Sequence, residues 1–205
     1  MIVLYSGTPG SGKSFHACDR IYYRLQAGCN IIANFPCEFS EKYKKKKMRG
    51  KFIYMPNDGL TVDFLVNFAR ENHDRRKEHQ TLVVIDEAGI KFNCRMWQDK
   101  DRFGWLNFLS QHRKFGYDII LISQADVMLD KQIRQFIEIE HNHRLMKSCG
   151  LVGTVMSVAF NFLDVKTFYG IKMPLGTECI KFHKKIADIY DSYSLFDKSW
   201  GENGQ

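Results

Sequence analysis

The sequence predicts an α/β domain, a mostly parallel β-sheet flanked by helices, with added C-terminal strands or hairpins. Three observations predict it. Short runs of β-forming apolar residues alternate with amphipathic helical stretches through about residue 135. Two of those runs, in "MIVLYSG" and "TLVVIDEAG", are continuously apolar, as strands buried on both faces are. One of them ends at a glycine-rich loop and the other at a pair of carboxylates, so the pattern puts chemistry where two strands stop.

The elements follow in order. "MIVLYSG" reads as a buried strand that stops at glycine. "KSFHACDRIYYRLQAG" places Phe15, Ala17, Cys18, Ile21, Tyr22 and Leu25 at helical spacing, with Gly28 as C-terminal cap. "CNIIANFP" is a second strand closed by Pro36, and "KFIYM" is a short third one. "TVDFLVNFARENHDRRKEH" reads as one amphipathic helix, with Val62, Leu65, Val66, Phe68 and Ala69 inward and a charged end outward. After the strand in "TLVVIDEAG", "DRFGWLNFLSQHRKFG" reads as a helix ending at Gly116, and "YDIILISQ" as another buried strand. Beyond about residue 136 the helices fade. "FIEIEHNHRLMKS", "TVMSVAFNFLDV" and "ECIKFHKKIADIYDSY" read as added strands or hairpins. The predicted organisation is a single domain over 1–205, with a core of about 1–135 and a β-rich extension of about 136–205.

Composition narrows the class. Hydrophobic residues make up 44% and charged residues 26%, as in ordinary soluble globular proteins, which excludes disorder over most of the chain. The longest apolar window, "GLVGTVMSVAFNFL", is too short to span a bilayer, so a soluble domain is expected. The cysteines at 18, 29, 37, 94, 149 and 179 form no CxxC pair and read as reduced intracellular thiols. The net charge of +7 has a local source: "KYKKKKMRGK", residues 42–51, holds seven basic residues and no acid. Such a run can bind nucleic-acid phosphates or an anionic phospholipid face, or remain a solvated loop.

"GTPGSGKS", Gly7 to Ser14, fits the phosphate-binding pattern G-x-x-x-x-G-K-[ST] between a predicted strand and a predicted helix. Gly7, Gly10 and Gly12, with Ser11 between them, let backbone N–H groups turn inward around phosphates at a helix N-terminus. Lys13 would reach the β- and γ-phosphates, and the Ser14 hydroxyl would coordinate Mg²⁺. This defines a P-loop NTPase. Asp86, at the end of the "LVVIDEA" strand, would hold the same Mg²⁺ through water, and Glu87 would orient or deprotonate an attacking water. A carboxylate pair of this kind suits a hydrolase. A small-molecule kinase needs no hydrolytic base and usually carries an Arg-rich lid, which nothing in the chain resembles. A GTPase would want N-K-x-D, which is absent. Gln124, closing "LISQ", is placed to sense the γ-phosphate. Arg113 and Arg134 lie near strand ends predicted at the nucleotide edge, where either could serve a neighbouring subunit as a finger. "HNH", His141–His143, would put two imidazoles on one strand face but brings no third ligand at fitting spacing.

With these motifs in place, the chain resembles the zonular occludens toxin (Zot) family, the N-terminal ATPase domains of filamentous-phage assembly and export proteins. The likeness rests on "MIVLYSGTPGSGKS", "NIIANFP", "LVVIDEA", "QHRKFGYDIILISQ", "LDKQIRQFIE" and "KKIADIYDSY", which span nearly the whole chain in order. The resemblance implies a RecA-like core similar to pumping ATPases of the FtsK–HerA type, working as a homo-oligomeric ring. It implies ATP as the nucleotide, with Lys13 and Ser14 on nucleotide and Mg²⁺, Asp86 and Glu87 in hydrolysis and Gln124 in sensing. It also implies phage coat and assembly proteins as partners. Family members usually continue into a transmembrane helix, which implies a cytoplasmic domain of an inner-membrane-anchored protein in a bacterial host. A P-loop small-molecule kinase and a nucleotide-dependent scaffold with little turnover stand as the alternatives.

Overall fold

The structure, a computed structural model, describes residues 1–39, 48–93, 99–145, 156–165 and 171–181, together with positions 183, 186 and 189. The described strands form one sheet. In chain order the elements are β1 (Ile2–Gly7), α1 (Lys13–Ala27), β2 (Asn30–Ala33), β3 (Phe52–Tyr54), α2 (Val62–Asn72), β4 (Thr81–Ile85), α3 (Ala88–Lys91), α4 (Asp99–Gln111) and β5 (Tyr117–Ile122). A 3₁₀ turn (Asp126–Met128), α5 (Lys131–Arg134), β6 (Ile139–Leu145), β7 (Met156–Val165) and β8 (Ile171–Lys181) follow.

The strand order is β3-β2-β4-β5-β1-β6-β7-β8. The first six strands in that order are parallel, while β7 and β8 add an antiparallel hairpin beside β6. β6 pairs in parallel with β1, Val3 opposite Ile139 through Gly7 opposite His143, so the parallel sheet runs past the point where alternation weakens in the sequence. β5 lies between β1 and β4, which brings the ends of those two apolar runs to one edge of the sheet.

Strand alternation divides the core in two. On one face Ile2, Leu4, Val83, Ile85, Ile119 and Leu121 pack with Leu65 and Ala69 of α2, Trp105, Phe108 and Leu109 of α4, and Ile133 of α5. On the other, Val3, Tyr5, Leu82, Val84, Ile120 and Ile122 pack under Ala17, Cys18, Ile21, Tyr22 and Leu25 of α1, joined by Ile186 and Ile189. Both faces of the central strands are therefore dry, as their unbroken apolar runs require.

Two helices are shorter than the sequence predicts. α2 stops at Asn72, because the charged stretch that follows has no apolar stripe to bury and His73 turns extended (φ −109°, ψ 143°). His73 instead ties this corner to the sheet: its Nδ1–H donates to the Phe115 carbonyl at 2.6 Å, and the Thr81 hydroxyl meets Nε2 at 2.6 Å. α4 ends at Gln111, and Gly116 (φ +79°) makes the turn into β5. A Cβ at Gly116 would stand 2.8 Å from the Gln80 amide nitrogen, so the turn needs glycine there. Trp97, Trp200, Cys94, Cys149 and residues 42–47 of the basic run lie outside the described residues.

Candidate nucleotide-binding and hydrolytic site

The site is built where β1, β4 and β5 end. β1 runs into Gly7, whose N–H donates to the carbonyl of Gln124 at 3.2 Å, so the loop begins beside the end of β5. Gly7, Gly10 and Gly12 take φ of +139°, +74° and +93°, values that L side chains rarely adopt. Gly7 is also tightly enclosed: a Cβ there would overlap the His143 carbonyl and stand 2.8 Å from Ser11 Oγ. Around Gly10 nothing lies within 4 Å of such a Cβ, so this part of the loop is open for a ligand to approach.

The loop delivers the chain to the N-terminus of α1. No acidic residue lies in the first turn of that helix and no side chain caps it, so its positive end is not neutralised locally. The Lys13 ammonium bridges the loop, donating to the carbonyls of Gly7 (2.7 Å) and Thr8 (3.0 Å). Burial pushes its pKa below the ordinary lysine value, while the nearby carboxylates of Asp86 and Glu87 pull it back up. The buried Ser11 hydroxyl has no partner among the described residues. An open glycine at position 10, an uncapped helix end, a central ammonium and an unpaired buried hydroxyl fit a polyphosphate.

Asp86 and Glu87 follow β4 directly. The Asp86 backbone is held by the side chain of Asn34, and Asp86 Oδ1 accepts from the Glu87 N–H at 2.8 Å. Glu87 is exposed and lies in the left-handed region (φ +49°, ψ 43°), as N-cap of the short α3. A non-glycine residue held there stores strain of about 1 kcal/mol or more, and such strain persists only where the surroundings impose it. Among the described residues no group of three or more His, Cys, Asp or Glu side chains is arranged to hold a metal ion. A Mg²⁺ site of the P-loop kind needs less: Ser14, in the first turn of α1, and Asp86 are the groups that fit it, because Mg²⁺ keeps several waters and takes the rest from substrate phosphates.

Gln124 is exposed one position past Ser123, and its strand separates the loop strand from the acid strand. Arg113 is a correction. It sits before β5, at the opposite edge of the sheet from the loop, where it pairs with Glu138 at 2.7 Å. Glu138 in turn accepts from the Ile2 N–H at the start of β1. Chain order already implies this edge: in a parallel sheet a helix that leads into a strand ends at the strand's amino-terminal side, away from the loop that follows β1. Arg134, on the crossover from β5 to β6, lies 4.0 Å from Asp126 of the 3₁₀ turn that follows Gln124.

Sequence reasoning missed Asn34, and it also missed His16. The only signal for Asn34 was a polar residue closing a buried strand. His16 is read as an ordinary helix position, yet it is 1% exposed and meets His143 across the sheet. Arg20 Nε–H donates to His16 Nε2 at 3.3 Å, which leaves the proton on Nδ1 to bond His143 Nε2 at 2.9 Å. His143 Nδ1–H then faces the carbonyls of His141 (2.9 Å) and Ser6 (3.2 Å). Tyr5 stacks on His16 with ring centroids 4.4 Å apart. Burial holds the His16 pKa down to about 2, and those of His141 and His143 down to about 4. His16 and His143 therefore act as neutral hydrogen-bonding groups that fasten α1 and the start of the loop to β6, while the His141 ring packs edge-on against Tyr5 and His16.

A parallel sheet with the glycine loop at its central strand and paired acids on the next strand but one makes this a P-loop NTPase domain. The chain belongs to the zonular occludens toxin (Zot) family, whose sequence profile matches residues 1–195. The gene 1 protein of Escherichia phage If1 is 28% identical over 213 residues, covering 100% of this chain and 56% of the phage protein. The chain thus spans about half the length of that relative. Among solved structures, the N-terminal domain of zonular occludens toxin from Neisseria meningitidis superposes with a TM-score of 0.56 at 17% identity, over 93% of this chain and 98% of that one. The DNA-packaging ATPase of Sulfolobus turreted icosahedral virus superposes with a TM-score of 0.50 at 20% identity, over 69% of this chain and 74% of that one. Both likenesses concern the fold.

Proposed function

We propose that this chain binds and hydrolyses ATP as the motor domain that drives assembly and extrusion of filamentous phage. In this reading it works as a homo-oligomeric ring at the cytoplasmic face of a bacterial inner membrane. The observation that carries the hydrolytic part is electrostatic: the ammonium of Lys13 lies within the field of both Asp86 and Glu87. Phosphate-binding and water-activating groups thus share one edge of the sheet. The phage and ring assignments rest on family membership and on the phage origin of the relatives.

Each group has a role in that reading. The N–H groups of the loop and Lys13 hold the β- and γ-phosphates. Ser14 and Asp86 hold Mg²⁺, which neutralises phosphate charge when bound. Glu87 accepts the proton of the attacking water, and its exposed position leaves it accessible to solvent. Gln124 senses the γ-phosphate. Arg134 is the arginine proposed to serve a neighbouring subunit. The basic residues 42–51 would meet phage DNA or anionic phospholipid. Among the described residues no helix is long and apolar enough to cross a membrane.

The test is phosphate release from ATP by wild type and Glu87→Gln across a range of protein concentrations. The motor reading expects turnover that rises with assembly and collapses in the variant while ATP binding persists. Undiminished turnover by Glu87→Gln would remove the proposed base, and consumption that requires an added acceptor would mean a kinase. Replacing Lys44–Lys47 with Gln should flatten the salt dependence of DNA binding. An unchanged slope would return that run to a solvated loop.

A further inference from the structure

Asp86 lies one residue beyond β4, where its backbone would lose the support of the neighbouring strand. β2 has already ended at Ala33, and the chain leaves the sheet through Phe35 and Pro36. The last backbone bond of the ladder runs from the Asn34 N–H to the Val84 carbonyl at 3.3 Å. In a parallel ladder the next two bonds would run from the Asp86 N–H to the Asn34 carbonyl and from the N–H of residue 36 to the Asp86 carbonyl. Residue 36 is proline and has no N–H to give. The side chain of Asn34 supplies both bonds. Its Oδ1 accepts from the Asp86 N–H at 2.7 Å, and its Nδ2 donates to the Asp86 carbonyl at 2.8 Å.

The same amide is held from behind. Asn34 Nδ2 also donates to Asn57 Oδ1 at 2.8 Å, and the Asn57 carbonyl accepts from Lys91 Nζ at 2.8 Å. Lys91 ends α3 and lies over the Trp105 ring, 5.3 Å from its centroid. The segment from Asp86 to Lys91, with left-handed Glu87 inside it, is therefore tied at both ends to one polar chain.

We propose that Asn34 is a positioning residue for the hydrolytic acids: its carboxamide supplies the one ladder bond that Pro36 cannot make, takes the Asp86 N–H in place of the Asn34 carbonyl, and thereby holds Asp86 and the strained Glu87 in working geometry. This rests on the reading of Asp86 and Glu87 as the Mg²⁺ ligand and the water-activating base. Asn34 holds the acid segment by the Asp86 backbone, with Asn57 behind it, so its loss should spare nucleotide affinity and reduce turnover. The expected loss is roughly 10- to 100-fold, the usual cost of removing a group that orients a metal ligand.

The test uses Asn34→Ala and Asn34→Asp, checked for folding by thermal melting. Phosphate release, affinity for a fluorescent ATP analogue and hydrogen exchange at the Asp86 amide are measured on each. Asn34→Ala should lower kcat with analogue affinity within about threefold of wild type, and its Asp86 amide should exchange at least about tenfold faster. Asn34→Asp carries its own signature. An ionised carboxylate offers no donor to the Asp86 carbonyl, whereas a protonated one donates O–H and accepts N–H as the amide does. Its turnover relative to wild type at the same pH should therefore recover as pH falls through the pKa of the introduced carboxyl. Turnover within twofold of wild type in Asn34→Ala, or an Asp86 amide that exchanges no faster, would overturn the proposal. A wild type that releases no phosphate would defeat the hydrolytic reading, and the exchange measurement would still decide the clamp. Should Asn34→Ala fail to fold, the pH response of Asn34→Asp decides it alone.

Discussion

His16 on the phosphate-loop helix and His143 on β6 are joined by a hydrogen bond of 2.9 Å, Nδ1 to Nε2, between two buried neutral rings. That bond couples the loop's helix to the last parallel strand of the sheet. Its protonation state decides whether it exists, because two charged imidazoles cannot donate to each other.

The acid dependence of stability follows from it. His16 titrates near pH 2 in the fold, and His141 and His143 near pH 4, against an ordinary value of 6.5. A base whose folded pKa is depressed contributes full stability above pH 6.5 and loses it as pH falls toward the folded value. The unfolded chain takes up protons that the fold refuses, which costs up to about 1.4 kcal/mol per pH unit for each imidazole. The melting temperature should therefore fall steeply between pH 6.5 and pH 4. His143→Gln should flatten that slope, and an unaltered slope would mean that other groups set it.

Gly7→Ala and Gly10→Ala separate two reasons for a loop glycine. At Gly7 the positive φ combines with overlap on the His143 carbonyl, and the expected loss is about 3 kcal/mol or more in urea unfolding. At Gly10 the backbone is left-handed but the space is open, and the expected loss is about 1 kcal/mol. Equal losses would show that the fit against β6 contributes nothing.

Glu87→Gly should be more stable than Glu87→Ala by about 1 kcal/mol, since glycine relieves the left-handed strain at φ +49°. Both variants should lack phosphate release. The comparison is read from paired denaturation curves, and a less stable glycine variant would argue that the backbone there is unstrained.

Arg113→Ala should leave turnover per site unchanged and cost less than about 1 kcal/mol, because its bridge to Glu138 is solvent-exposed. Arg134→Ala should lower phosphate release without weakening ATP binding. A turnover defect confined to Arg113→Ala would instead bring the amino-terminal edge of one subunit to the site of its neighbour.

Much of the fold is legible in the sequence because the central strands are buried on both faces. "IVLYSG", "TLVVI" and "YDIILI" could satisfy neither a one-faced sheet nor a solvent-facing helix, so their apolar continuity fixes them as interior parallel strands. The phosphate loop is legible for a similar reason: each glycine answers a local backbone demand, visible without knowing what lies nearby. Local pattern overran the ends of α2 and α4: the charged stretch after Asn72 offers no apolar face to bury, and a distant partner then fixes where the chain turns. For α2 that partner is the Phe115 carbonyl, and for the turn after α4 it is the Gln80 side chain.

The sequence by itself determined the P-loop class and named Lys13, Ser14, Asp86 and Glu87, because those identities are required within a few residues of a strand end. Only the tertiary structure decided which strands are neighbours, and with that Arg113 against Glu138, His16 against His143, and Asn34 in the place of a missing Pro36 N–H. Pairing of strands distant in the chain is set by the packing of whole faces, which no short stretch of sequence contains. The side chains that meet across such pairings are therefore visible only once the sheet is assembled.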